Sequence, residues 1–141
     1  GGHLAAMLAV SPDPVERVDA AICLCPLTDL TSPHDRHFPI SWSFLEQFVG
    51  QPWEGNEALY RSASPALQVS GDTAPTLVIH GDADDVVALE QSHALASALK
   101  AACVRHKLVI LPEEGHSFSP DVWPRIEDEA LTFLQQEFKL G

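Results

Sequence analysis

Two short loops carry the side chains that could do chemistry. The first, Gly81-Asp82-Ala83-Asp84-Asp85, closes the apolar, β-branched run Thr76 to His80; the second, Pro112-Glu113-Glu114-Gly115-His116-Ser117-Phe118, closes the run Lys107 to Leu111. Each run reads as a buried strand of a parallel sheet stopping at a turn. In an open α/β sheet, chemistry collects in the loops outside the carboxyl ends of the strands. Two neighbouring strands of this kind deliver an acid and a histidine to one edge, as a base and its orienting carboxylate require. Gly115 permits a tight backbone from which the His116 ring projects. Asp82 follows Gly81 directly and suits a turn or cap, and Asp85 points elsewhere as a helix begins, so Asp84 is the preferred partner of His116.

The elements that must position these loops alternate. The apolar opening GGHLAAMLAV reads as a buried helix ended by Ser11-Pro12-Asp13-Pro14. Val18 to Leu24 is a first strand stopped by Pro26. A helical excursion of about 26–74 follows. It contains the loop LTDLTSPHDRHFP, a helix from about Ser41 to Val49 with Trp42, Leu45, Phe48 and Val49 on one face, and a short helix around Asn56 to Arg61. The aromatics between Trp42 and Tyr60 either pack this insert onto the sheet or wall an apolar substrate pocket. Ala88 to Ala102 reads as a helix with Leu95, Leu99 and Ala102 inward. The last helix, from about Asp121 to Phe138, has Trp123, Ile126, Ala130, Phe133, Leu134 and Phe138 at core-facing spacing, with Pro124 in its tolerated first turn. The order predicts an α/β fold: a parallel sheet with helices on both faces and right-handed crossovers.

Composition narrows the function. With 141 residues, 45% apolar and 20% charged, the chain is an ordinary globular domain. A net charge of −12, with only eight scattered Lys and Arg, excludes a nucleic-acid footprint. No run approaches the roughly 18 apolar residues of a membrane span. Cys23, Cys25 and Cys103 read as buried thiols and not as a disulfide framework or zinc site. His34 and His37 form a single HxxH without further ligands, so no metal is expected. His3, His80, His93 and His106 read as structural or solvated, and Glu113 with Glu114 as a solvated turn. Glu127-Asp128-Glu129 complements the dipole of the last helix.

The segments HGDADDVVALEQS and LPEEGHSF, together with GGHLA, PLTDL and ASPA, resemble the C-terminal half of an α/β-hydrolase. The likeness is to the group of bacterial carboxylesterases, feruloyl-esterase-like proteins and hormone-sensitive-lipase relatives that borders on the prolyl oligopeptidases. It covers nearly the whole chain, and the choice of Asp84 rests partly on it. Ala88 stands where that group often has proline. The resemblance implies Asp84 as triad acid, His116 as triad base and Gly1 as the last glycine of a G-x-S-x-G elbow. The nucleophilic serine would fall two positions before Gly1, and the oxyanion hole would also lie outside these residues. Ser11, Ser32, Ser64, Ser70 and Ser117 all lack the elbow pattern.

The expected parent protein is therefore a carboxylesterase acting on small-molecule esters through a Ser-Asp-His triad, without a cofactor. A prolyl-oligopeptidase-type peptidase and a non-catalytic binding protein on the same scaffold are the alternatives. Residues 1–141 read as one partial hydrolase domain, inactive alone for want of the serine, with compartment and oligomeric state left open. The first helix has no cap and the strand from Val18 has an open edge, which predicts that these 141 residues fold poorly as an isolated monomer. Thermal unfolding should be broad; a sharp cooperative transition would contradict the expectation.

Overall fold

The computed structural model describes residues 1–31 and 42–139. Three strands form one parallel sheet in the order β1-β2-β3: β1 is Ala21–Leu24, β2 is Thr76–Gly81 and β3 is His106–Leu111. The register sets Ala21 beside Thr76 and Leu24 beside Ile79, and on the other side His80 beside Ile110 and Gly81 beside Leu111. β2 is buried along its whole length, as a central strand covered on both faces must be.

Alternation along β2 divides the core into two layers. Val78 faces Ala6 and Ala9 of helix α1 (Gly2–Val10), together with Cys23 of β1. Helix α2 (Trp42–Val49) and helix α3 (Glu57–Ser62) lie in the excursion between β1 and β2. Leu95 and Leu99 of α4 (Leu89–Ala101) complete the Val78 layer. Leu77 and Ile79 face the opposite way, onto Ile126 and Phe133 of α5 (Trp123–Phe138). The fold is thus α/β, a parallel sheet with helices on both faces, as the order of elements predicts.

A third apolar cluster, Leu27, Leu30, Leu45, Tyr60 and Val87, ties the excursion to the segment after β2. Two buried polar side chains hold it in register. The Gln91 amide oxygen accepts the N–H groups of Thr28 and Asp29 at 2.9 and 2.8 Å, and the Ser64 hydroxyl accepts that of Leu30 at 2.8 Å while donating to the Tyr60 carbonyl. Such groups have no water to fall back on, so their bonds specify one arrangement.

Several local expectations are corrected. α1 is not buried all round: Ala6 and Ala9 pack on the sheet and Val10 is buried, but Leu4 and Leu8 are 62% and 44% exposed. Uniform apolarity gave no stripe from which to read its inner face. β1 begins at Ala21 and not at Val18. Residues Pro120–Val122 form a short 3₁₀ turn, and α5 starts only at Trp123. Glu127 to Glu129 therefore lie beyond its first turn, where Glu129 pairs with Lys107. Trp123 and Phe138, at the ends of the α5 stripe, are exposed. Cys103 is exposed, with φ of 57°, whereas Cys23 and Cys25 are buried. His34 and His37 lie outside the described residues.

The close approach of the two loops at the sheet edge requires one glycine. A Cβ on Gly81 would collide with the Glu114 carbonyl oxygen, backbone against backbone, whereas one on Gly71 would meet open space. Gly81→Ala is expected to lower the unfolding free energy by about 2 kcal/mol. Gly71→Ala should stay within about 0.5 kcal/mol of wild type. Urea titration of the two variants in the whole protein checks the contrast, and equal midpoints would refute it.

Candidate active site

Backbone and side chain lace the loops after β2 and β3 together. The N–H of Asp82 donates to the Leu111 carbonyl at 3.1 Å and that of Ala83 to the Glu114 carbonyl at 3.0 Å. The Asp82 carboxylate accepts the Glu113 N–H at 2.6 Å in return. Asp82 thus has the turn role expected of it, exercised across the two loops. Glu114 remains solvated but also braces its loop: its carboxylate accepts both the N–H and the hydroxyl of Ser119, at 2.7 and 2.6 Å. These bonds hold the Glu114 carboxyl below its usual range and close the loop around His116. Glu113 and Phe118 adopt φ of 62° and 49°, left-handed conformations that non-glycine residues rarely take.

This lacing brings together the two residues singled out from the sequence. His116 Nδ1 lies 2.8 Å from Asp84 Oδ2. The Asp84 side chain is 0% exposed and that of His116 39%. The other carboxylate oxygen, Oδ1, accepts the N–H groups of Val86 and Val87 at 2.9 and 2.8 Å. Burial pushes the Asp84 carboxyl up, but the Val87 N–H, the His116 ring and the Val86 N–H outweigh it and hold the group below its usual 3.8. Asp84 is consequently ionised at neutral pH and can only accept, which places the proton of the neutral His116 ring on Nδ1. Nε2 is then left as the basic nitrogen on a half-exposed ring, available to take a proton from a neighbouring hydroxyl. Asp85 is exposed and takes no part in the contact.

His80, read from the sequence as structural or solvated, is structural, and sequence reasoning missed its contact with Asp84. It is fully buried, its Nδ1 lies 2.6 Å from the Ser92 hydroxyl, and its Nε2 lies 2.8 Å from the Val87 carbonyl and 3.2 Å from Asp84 Oδ2. The available signal was position: a histidine four residues before the acid, in the last inward-facing place of a buried strand. Burial drives its pKa below the ordinary histidine value, ahead of the opposing pull of Val87 and Asp84.

Beside His116 lies a cavity of about 260 Å³. Leu24, Leu27, Phe44, Phe48 and Val86 line it, with His116 at the wall. The two readings of the aromatics therefore divide. Trp42, Trp53 and Tyr60 pack on one another, with centroids 5.2–5.8 Å apart, whereas Phe44 and Phe48 face the cavity and Phe48 departs from the expected inner face of its helix. Cys25 closes the floor at a left-handed φ of 44°. Its thiol is pushed up to about 12, first by burial and then by the Asp84 charge, so it is inert as a nucleophile.

Cys25, His80 and Asp84 present one potential ligand atom each within 4.8 Å. They do not fit a cation. The Val87 carbonyl can only accept, so the nitrogen of His80 nearest to Asp84 carries a proton and has no lone pair to give.

The chain is similar to known hydrolases. A family model described as the prolyl oligopeptidase family matches residues 1–141. The esterase LipQ of Mycobacterium tuberculosis is 34% identical over 130 residues, a match covering 84% of this chain and 31% of LipQ. The chain therefore spans about a third of that relative's length. Esterase 2 of Thermogutta terrifontis, solved as its sarin-phosphonylated form, superposes with a TM-score of 0.78 at 26% identity, covering 96% of this chain and 53% of that one. A puromycin hydrolase mutant complexed with PGG superposes with a TM-score of 0.81 at 25% identity, covering all of this chain and 21% of that one.

The depressed Asp84 pKa gives a signature in stability. A carboxyl held below its unfolded value stabilises the fold fully above that value, about 3.8, and the contribution is lost as pH falls through the lower folded value. The stability gap between wild type and Asp84→Asn should therefore be constant at mildly acid to neutral pH and shrink below about 3.8. Thermal melts of the whole protein from pH 2 to 7 measure it, and a gap that widens on acidification would contradict the assignment.

Proposed function

The chain belongs to the prolyl oligopeptidase family, and from that membership and the geometry of the sheet edge we propose that it supplies the acid and base of a serine hydrolase whose whole protein cleaves carboxylic esters. The observation that carries the reading is the 2.8 Å contact between His116 Nδ1 and a buried Asp84, with the ring's other nitrogen free to act. His116 Nε2 would take the proton of a serine hydroxyl as its oxygen attacks the ester carbonyl, then return that proton to the departing alcohol. Asp84 would hold the Nδ1–H tautomer and stabilise the ring while it is charged. Attack by water on the acyl-serine, with His116 again as base, would complete the cycle. By the match of GGHLA to the family elbow, the serine lies two positions before Gly1 in the whole protein, and its neighbouring N–H helps to form the oxyanion hole.

The apolar walls of the cavity favour a small neutral ester over a charged substrate. Similarity to the esterase LipQ supports ester hydrolysis. A peptidase activity is the second reading, favoured by the family model itself and by the fit to the puromycin hydrolase. Both use the same acid and base.

In the whole protein, His116→Ala is expected to lower kcat on p-nitrophenyl acetate and butyrate by about 10⁴-fold or more with little change in KM. Side-by-side assay of a dipeptidyl p-nitroanilide separates the two readings. Ester turnover indifferent to His116 would overturn the proposal.

A further inference from the structure

Among the buried titratable side chains of the described residues that the mechanism leaves unused, His80 makes specific contacts with the acid and its loop. It occupies the penultimate position of β2, on the face covered by α4, and is fully buried. Two partners fix its tautomer. The Val87 carbonyl, 2.8 Å from Nε2, has no proton to offer, so Nε2 bears the hydrogen and Nδ1 accepts from the Ser92 hydroxyl at 2.6 Å. The same Nε2–H lies 3.2 Å from Asp84 Oδ2, the oxygen that receives His116. The titratable groups around the ring are Asp84, His116 and the Cys25 thiol, and the ring opposes the Asp84 charge as a neutral donor.

We propose that His80 is a positioning residue for the acid. A forked Nε2–H to the Val87 carbonyl and Asp84 Oδ2 fixes both the loop that donates to Oδ1 and the oxygen that receives His116, with Ser92 of α4 selecting the ring tautomer. Three neighbours thereby share one carboxylate: His116 from outside, the 86–87 backbone from the loop, and His80 from the sheet. Without the inner donor Asp84 retains its charge but loses the restraint that aims Oδ2 at His116. This inference rests on the acid and base reading of Asp84 and His116.

Two amide substitutions separate positioning from packing. Glutamine can place its N–H₂ where His80 Nε2 stands, whereas asparagine reaches only the Nδ1 position near Ser92. The experiment is ¹⁵N-histidine NMR of the whole protein at neutral pH, read together with kcat and KM for p-nitrophenyl acetate. In wild type, His80 should be a neutral Nε2–H ring and His116 an Nδ1–H ring. His80→Gln should keep the His116 tautomer and kcat; His80→Asn should shift the tautomer ratio toward Nε2–H and lower kcat, each by about tenfold, the worth of one hydrogen bond to a charged group.

Retention of the tautomer and kcat in both variants, or equal loss in both, would overturn the positioning role. Should His80→Asn not fold, wild type still decides: a charged or Nδ1–H ring at His80 would overturn the proposal. An Nε2–H ring that Ser92→Ala releases into a mixture of tautomers would support it. A wild-type His116 that is not Nδ1–H, or that is unaffected by Asp84→Asn, would instead overturn the acid and base reading on which this one rests.

Discussion

Everything at the functional edge depends on how closely the loops after β2 and β3 approach one another. Parallel pairing delivers Gly81 and Leu111 side by side, and beyond that point the chain must build its own contacts. It does so with two backbone hydrogen bonds and the Asp82 carboxylate, at distances that only a glycine at position 81 permits. The lacing converts two separate strand ends into one rigid frame. Only then does a 2.8 Å contact between residues 32 positions apart become a fixed feature and not an occasional encounter.

The second constraint is the cost of burying a carboxylate there. Desolvating an ion costs several kcal/mol, and an uncompensated one would simply take up a proton. Asp84 stays ionised because donors reach both oxygens: backbone N–H groups on Oδ1 and the His116 ring on Oδ2, with His80 Nε2 3.2 Å from that second oxygen. Hydrogen bonds to charged groups contribute about 1.5–3 kcal/mol each, enough together to reverse the burial effect. Burial keeps the Cys25 thiol protonated, with the Asp84 charge adding to the effect, and keeps His80 neutral against the pull of that same charge.

How much of this was legible in the sequence follows from the range of the forces involved. The strands at Thr76 and Lys107 were readable because central parallel strands are apolar on both faces, and the stripe on α5 because a surface helix repeats at three and four. Asp84 and His116 were readable because turn chemistry excluded the neighbouring acids and the family motif agreed. Contacts set by tertiary approach were hidden. Nothing local distinguishes Glu114, which clamps Ser119, from Glu113, which does not. The inner partner of His80, Ser92, lies on a helix that sequence alone cannot dock, and the division of aromatics between packing and cavity depends on how α2 is rotated. Uniform apolarity likewise concealed the exposed side of α1.

The central claim is that Asp84 and His116 serve a serine which they activate for attack. The most direct test is to treat the whole protein with a fluorophosphonate and locate the adduct by peptide mass spectrometry. The account predicts one labelled serine, two positions before Gly1, in wild type, and a strongly slowed reaction in a protein carrying His116→Ala. No adduct, or an adduct on a serine within these residues such as Ser117, would contradict it.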